Sequence, residues 1–291
     1  MSYWRLAPDP RLRSCIQCYA LVSPLPKEQL RDGPLWEQQL LLPDGYSEIV
    51  FTLSGRFERR PLSGDAGATI MGASYVIGGR SHSVVTRNLS SVRVASVKLD
   101  SRLLRAILRM PLSELQDSTL GLDDLNCRQL LQIEHAVLSA SSVAEIKDRL
   151  DTFFLQTMAL EPLRAPAVDE LLRQIHRTQG SLSILDFARD HRIDARTLER
   201  NFSASMGMMP KQYARIVRFK RSYYRLMLTD SHTHDLRAHL EGYYDQSHFH
   251  RDFKRFLGVA PRDKLQGKVP SATTVSDHLL QGEFETEVDG Q

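Results

Sequence analysis

The 291-residue sequence has few of the features that mark secreted or membrane proteins. Its three cysteines are too few, and odd in number, for a disulfide framework. No run approaches the roughly 18 consecutive apolar residues of a membrane helix. Residues 1–10 lack the basic and apolar regions of a signal peptide. We therefore expect a cytoplasmic protein with no membrane partner.

Histidine is scarce in the part of the chain where a metal enzyme would need it. A cupin-like metal site requires several clustered His or Glu ligands. Seven of the ten histidines lie between His176 and His250, and only His82 falls among the strand candidates. The sequence therefore predicts no catalytic residue, no metal site and no cofactor. A cupin-like enzyme stays open as a rival hypothesis that metal analysis of the purified protein would decide.

Two residue clusters and one helical segment permit a functional and a purely structural interpretation. Cys15 and Cys18 have the C-x-x-C spacing of redox and zinc sites, but no second pair completes four ligands, so burial is the simpler interpretation. His232, His234 and His239 lie beside the start of a predicted helix, where capping and exposure explain them more simply than ligation. The helical segment 124–160 could bind a protein partner, although apolar stripes of this kind more often form a core or a homodimer seam.

The first 99 residues have the pattern of a β-rich domain. Short segments of alternating apolar residues are separated by Gly, Pro and Asp, as at Pro43-Asp44-Gly45. Several short strands of this kind predict a barrel or sandwich. The strand candidates are residues 14–21, 36–42, 47–53, 68–77, 83–87 and 91–99.

Helices are predicted for most of the remaining chain. Asp100 or Ser101 caps a helix that ends before Pro111, and two more helices follow at 124–140 and 142–160. The sequence thus indicates an α+β protein: a β-barrel or sandwich-like regulatory and dimerisation domain with a helical subdomain (1–161), a linker (162–166), an all-α domain (167–265) and a disordered acidic tail (266–291). Within the all-α domain, helices are predicted at 167–178, 184–191, 194–206, 211–228, 235–241 and 245–257, with a short one after Pro261.

Basic residues concentrate in the all-α part. Residues 166–265 carry 18 Lys and Arg against 12 Asp and Glu, whereas residues 266–291 carry 1 against 5. A basic excess of this kind suits a polyanion-binding module, although many solvated helical domains have one.

An internal repeat organises the basic region. Five residues of similar chemistry recur at an offset of 51 positions. In each copy two apolar residues four positions apart predict a buried helix face, and a Gly just past the helix end predicts a left-handed residue. Two short helices joined by a tight turn, written twice, indicate a duplicated helix-turn-helix. The matched pairs are Leu198 with Phe249, Arg200 with Arg251, Phe202 with Phe253, Gly207 with Gly258, and Pro210 with Pro261.

The polar residues between the apolar anchors are candidates for reading DNA bases. Arg pairs well with guanine, and Gln or Asn with adenine, so these side chains can reach base edges or phosphates. A solvated helix face would explain them too, but the same face recurs on two helices. The base-reading candidates are Arg196, Thr197, Glu199 and Arg200 in the first copy and Gln246, Ser247, His250 and Arg251 in the second.

These residues resemble the AraC/XylS family of bacterial transcription regulators. The second copy carries the resemblance best, through Gly242-Tyr243-Tyr244-Asp245-Gln246-Ser247-His248-Phe249 and Phe253-Lys254-Arg255-Phe256. The first copy matches more loosely. Arg192 and Arg237 stand where the family usually has Gly and an aliphatic residue. The N-terminal half resembles, more weakly, the sensory domains of some members.

The resemblance implies a sequence-specific regulator that binds double-stranded promoter DNA. Two recognition helices on one rigid helix would read adjacent major grooves. It further implies a homodimer, a small-molecule effector bound by the N-terminal domain, and contact with RNA polymerase during activation. The candidates for phosphate neutralisation are Lys211, Lys220, Arg221 and Lys254.

Overall fold

The computed structural model describes residues 2–23, 38–62, 67–160, 165–228 and 242–261. Several predictions lie outside these residues: the start of the strand at 36–42, the helix at 235–241 with its histidine cluster, the helix after Pro261, and the acidic tail. Among the described helices, none is long and apolar enough to cross a bilayer.

The N-terminal half is built on antiparallel β-strands, as the alternating pattern predicts. Within the described residues the strands are β1 (Ser2–Leu6), β2 (Ile16–Ser23), β3 (Gln38–Leu41), β4 (Ser47–Ser54), β5 (Phe57–Pro61), β6 (Thr69–Met71), β7 (Tyr75–Ile77), β8 (Val84–Asn88), β9 (Arg93–Leu99) and β10 (Thr119–Gly121).

These strands form two sheets that face each other. One sheet has the order β1-β2-β9-β4-β7-β10 and the other β3-β8-β5-β6. Alternate residues of a strand point to opposite faces, so Ser96 and Lys98 of β9 line a cavity between the sheets. Val97 and Leu99 of the same strand pack in the core on the other face. The predicted sandwich is confirmed.

Helices cover the outer face of the larger sheet. α1 (Ser101–Leu108) begins after Asp100, whose side chain accepts a hydrogen bond from the Arg102 backbone N–H at 2.8 Å. α2 (Arg128–Leu138) and α3 (Val143–Leu160) follow. α2 begins later than the predicted residue 124, because Asp123–Leu125 forms a 3-10 turn and Asn126 is left-handed at φ 47°. The apolar faces of the helices complete a core with the sheet.

Three strands escape the sequence pattern. β1, β5 and β10 are absent from the candidates, and the candidate at 68–77 is split into β6 and β7. β6 pairs with β5 in the smaller sheet, whereas β7 pairs with β4 in the larger one, so the chain changes sheets between them. In β5 the inward position is held by Arg59, which conceals the apolar alternation.

The C-terminal half contains the predicted helices wherever the structure describes it. α5 and α6 form one helix-turn-helix unit, α7 is the long central helix, and α8 is the second helix of the other unit. Their bounds are α4 (Pro166–Arg177), α5 (Ile184–Asp190), α6 (Ala195–Met206), α7 (Pro210–Leu228) and α8 (Gln246–Leu257).

The two halves are packed together. One apolar cluster spans both halves. It contains Leu40 of β3 and Leu42, which directly follows that strand, together with Phe202 and Phe219 of the helical half. Arg102 of α1 pairs with Asp169 of α4 across this boundary. The C-terminal end of α6 lies against the 3-10 helix at residues 112–115. The helix-turn-helix units are therefore in direct contact with the β-rich half.

Candidate nucleic-acid interface

α6 and α8 are built alike from cap to cap. Asp194 precedes α6 and accepts a hydrogen bond from the Thr197 backbone N–H at 2.8 Å; Asp245 precedes α8 and accepts one from the His248 N–H at 2.7 Å. The helices end at Gly207 and Gly258, which are left-handed at φ 75° and 72°. The predicted glycine caps are confirmed.

The repeated apolar residues anchor both helices to the central helix α7. Leu198, Phe202, Phe249 and Phe253 are buried. The Phe202 ring of α6 meets the Tyr213 ring of α7 edge-on with 5.7 Å between centroids. The Phe253 ring of α8 meets Phe219 of α7 at 5.8 Å. Edge-to-face pairs of this kind add to the stability from burial, and they fix both helices to the same rod.

The turn before each of these helices contains a left-handed residue, two positions before the cap of α6 and three positions before the cap of α8. Gly242 has φ 82° before α8, and Arg192 has φ 54° before α6. A non-glycine residue in this region costs about 1–2 kcal/mol. Arg192 therefore adopts the left-handed conformation that favours Gly, and its side chain adds strain.

The predicted base-reading residues lie mainly on exposed surfaces of the two helices. Thr197 and Glu199 are half-buried. His250 is also half-buried, and its Nε2 has no hydrogen-bond partner among the described residues. The exposed members are Arg196, Arg200, Gln246, Ser247 and Arg251.

A cationic cleft lies between the two helix-turn-helix units. Its volume is about 460 Å³, and it is lined by the start of α5, the first half of α7 and the N-terminal half of α8. Lys211 and Arg251, which the sequence singled out, both line it. Arg215 and Arg218 line it too and were missed. Their spacing from Lys211, at four and seven positions along one helix, was the available signal.

One carboxylate organises the cations of the cleft. Asp252 of α8 is completely buried and accepts hydrogen bonds from Arg215 Nε at 3.1 Å and Arg218 Nη2 at 3.2 Å. The Arg218 guanidinium also lies over the Tyr243 ring, 4.8 Å from its centroid. The network ties α8 to α7, while Lys211 and Arg251 stay exposed.

The remaining phosphate candidates lie elsewhere. Lys254 is exposed on α8, and Arg221 is half-buried on α7. Lys220 follows Lys211 by nine positions, which puts it about 180° around the helix. On that side of α7 the charge of Lys220 helps to lower the pKa of Asp44 and of His176. Lys220 therefore does not join the cleft.

Among the described residues, neither the cysteine pair nor His82 lies in a group that could hold a metal ion. Cys15 and Cys18 are both buried, and burial raises the pKa of the Cys15 thiol to about 11. His82 Nδ1 lies 3.0 Å from Asp117 Oδ1. Over the described residues, no group of three His, Cys, Asp or Glu side chains is placed to hold a metal ion.

Two family models match the chain. Residues 187–266 match a family described as a helix-turn-helix domain, which spans α6, α7 and α8. Residues 4–121 match a domain of unknown function, DUF6597, which spans both sheets. No curated protein matches the chain.

Solved structures with a similar arrangement include two transcription regulators. ToxT from Vibrio cholerae is 13% identical, with 79% of this chain and 94% of that chain covered and a TM-score of 0.43. The AraC-like transcriptional activator CuxR is 16% identical, with 71% and 73% covered and a TM-score of 0.25. At these TM-scores no residue's role can be transferred. The matched family identifies residues 187–266 as a helix-turn-helix domain of the AraC type, which supports a DNA-binding transcriptional regulator.

Proposed function

We propose that α6 and α8 read base edges in two successive major grooves on one face of the duplex. The observation that carries this is their shared construction: each is capped by Asp, anchored by two apolar residues on α7, and exposes an arginine at the matched position, Arg200 or Arg251. α7 is 19 residues long, or about 28 Å at 1.5 Å per residue. Successive major grooves lie about 34 Å apart, so the DNA must bend if the helices are closer than that.

The cleft between the units is the natural place for the phosphates that separate the two grooves. Lys211 presents an exposed cationic group at its edge, and Arg215 adds a partly exposed guanidinium. Each neutralised phosphate releases a counterion and adds about 0.9 to the slope of log affinity against log salt. Lys254 supplies a further contact on the exposed face of α8. Lys220, on the other side of α7, is omitted from this set.

Two substitutions on α8 separate base reading from phosphate binding. Arg251→Ala should weaken binding to the preferred site by about 1–3 kcal/mol and relax base preference at one position. Lys254→Ala should weaken all sequences alike and reduce the salt slope by about 1. Both side chains are exposed, so each variant controls for the other. Selection from randomised DNA measures the preference. An unchanged preference in Arg251→Ala, or a base-specific loss in Lys254→Ala, would refute these roles.

The N-terminal domain (1–161) supplies regulation in this proposal, with residues 162–166 as the linker to the DNA-binding domain (167–265). We infer that the chain acts in the cytoplasm as a homodimer, has no catalytic activity, and activates transcription through RNA polymerase under the control of a small-molecule effector. Sedimentation of the full chain over a range of concentrations tests the dimer. Transcription from a recovered operator with purified polymerase tests activation.

A further inference from the structure

The turn that precedes α8 holds one side chain with no counterpart in the turn before α6. In the first helix-turn-helix unit a single residue, Ile193, separates the left-handed position from the helix cap. In the second unit two residues, Tyr243 and Tyr244, occupy the corresponding interval. One of these tyrosines is therefore an addition to the construction that the two units share.

Packing identifies Tyr244 as the additional residue. An apolar residue close before a helix cap commonly packs on the first turn of the helix. Ile193 is half-buried against the apolar core of the helical half. Tyr243 takes this place in the second unit, because it is buried and its ring meets the Phe249 ring edge-on with 5.3 Å between centroids. Tyr244 is left 94% exposed, so packing within the fold does not account for its ring.

The backbone on both sides of Tyr244 is held in place. Before it, Gly242 packs so closely that a Cβ placed there would lie 3.0 Å from Ser181 Oγ and 3.3 Å from Arg218 Cδ. Ser181 lies just ahead of α5 in the first unit, and Arg218 lies on α7. After it, Asp245 caps α8. The Tyr244 side chain therefore starts from a fixed turn at the junction of the two units.

Tyr244 lines the cationic cleft between the units, where apolar and charged groups share one surface. Leu182 and Ile184 of the first unit are half-buried and line the same cleft, as do Lys211 and Arg215 of α7. A DNA strand presents both kinds of group, because its sugars alternate with anionic phosphates. The surface of the cleft therefore complements a sugar–phosphate strand.

The lining of the cleft stays cationic after its carboxylates are counted. Among the described residues that line it, four cations stand against two carboxylates, which gives a net charge of +2 with His248 neutral. A cleft of this charge attracts an anionic partner. The cations are Lys211, Arg215, Arg218 and Arg251, and the carboxylates are Asp245 and Asp252.

We propose that Tyr244 makes an uncharged contact with the DNA backbone between the two major grooves. Its hydroxyl donates a hydrogen bond to one phosphate, and its ring packs on the adjoining deoxyribose. Tyr244 precedes the cap of α8 and thus lies outside the helix that enters the groove, so it reaches the backbone rather than base edges. The contact rests on the proposed function, because that function places DNA over the cleft.

An uncharged contact differs measurably from a cationic one. A Lys or Arg side chain that binds a phosphate releases a counterion, which makes the affinity more dependent on salt. The Tyr244 hydroxyl carries no charge and releases no counterion. Removing it should therefore lower the affinity by the same factor at every salt concentration and for every DNA sequence.

Fluorescence anisotropy with the full chain and an operator recovered by selection tests the contact. Tyr244→Phe should weaken binding about threefold to tenfold, and Tyr244→Ala about tenfold to thirtyfold. Both should keep the wild-type slope of log affinity against log salt, whereas Lys211→Ala, at the same cleft, should reduce that slope by about 0.9. The control is Ile70→Ala, because Ile70 is 63% exposed on β6 of the β-rich half. It should leave both the affinity and the slope unchanged.

Ethylation interference locates the contact on the DNA. Ethylation of a phosphate between the two major grooves should block binding of the wild-type chain, and Tyr244→Phe should lose the interference at that phosphate alone. Native-state hydrogen exchange of the free protein separates a DNA contact from a structural role. Tyr244→Ala should leave the exchange of the α8 amides unchanged, because the side chain is 94% exposed.

Four results would overturn the contact: wild-type affinity in Tyr244→Phe, a reduced salt slope in Tyr244→Ala, interference that persists at every phosphate in Tyr244→Phe, or faster exchange of the α8 amides in Tyr244→Ala. A wild-type chain that shows one patch of guanine N7 interference per subunit would refute the proposed function. Two patches together with wild-type affinity in both Tyr244 variants would overturn the Tyr244 contact alone.

Discussion

Asp252→Asn is the substitution that most sharply tests how α8 is held on the central helix. Asp252 is completely buried and accepts hydrogen bonds from Arg215 and Arg218 of α7. Asparagine keeps the size of the side chain but removes the negative charge and one acceptor. Two guanidinium groups then share a site without a counter-ion.

The expected cost follows from the burial of the three side chains. Removing one partner of a fully buried ion pair costs about 3–5 kcal/mol. Here the side chains of Arg215 and Arg218 keep exposures of 27% and 12%, so both cations regain some hydration. We therefore expect a loss of about 2–3 kcal/mol, below the fully buried range.

Native-state hydrogen exchange measures this loss where it occurs. The opening free energy of the α8 amides should fall by about 2–3 kcal/mol, while that of the β9 amides stays unchanged. Asp190→Asn is the matched control, because Asp190 is 67% exposed and its Oδ1 lies 3.7 Å from Arg189 Nε, in a loose surface ion pair. This substitution should change the opening free energy by no more than about 0.5 kcal/mol. A loss below about 1 kcal/mol at α8 would refute the view that this network holds the helix.

Two further predictions concern the first helix-turn-helix unit and the helix α4 that packs against it. Arg192→Gly should raise the free energy of urea unfolding by about 0.5–1 kcal/mol, because it relieves the left-handed strain at φ 54° at some cost in chain entropy. The control Arg189→Gly, inside α5, should instead lower it by about 1 kcal/mol. A lower stability of Arg192→Gly would contradict the strain. Burial, with the charge of Lys220, lowers the pKa of His176 below its ordinary 6.5. The contribution of neutral His176 to the free energy of unfolding is therefore complete above pH 6.5, and it is lost as the pH falls towards the lowered pKa of the folded state. Unfolding measured against pH should show this slope, and His176→Gln should remove it; an equal slope in the variant would assign it to other groups.

The sequence predicted the DNA-binding half well because its signals are local. Asp194 and Asp245 each cap a helix by accepting a hydrogen bond from the backbone N–H three residues further along the chain, and Gly207 and Gly258 end the same helices. Each helix boundary therefore depends on a few neighbouring residues. The repeat then predicted that the two units share one long helix, α7. Phosphate binding by Lys220 was inferred from its charge alone, and its phase on α7 places it away from the cleft; its contact with DNA stays a prediction.

What the sequence could not supply depends on contacts between distant residues. Arg59 interrupts the apolar alternation of β5 because it points into a charged cavity, so the strand was missed. Asp252 is separated from Arg215 by 37 positions, and no short pattern links them. The packing of Gly45 on Tyr213 is likewise a tertiary contact, which neither segment reveals alone.

The central claim is that two recognition helices on one rod occupy adjacent major grooves. Methylation interference at guanine N7 on a site recovered by selection tests it most directly. For each bound subunit we expect two patches of interference about one helical turn, or 10 base pairs, apart on one face of the DNA. Arg251→Ala should lose one patch and keep the other. A single patch per subunit, or loss of both patches in this variant, would show that the two helices do not occupy adjacent major grooves.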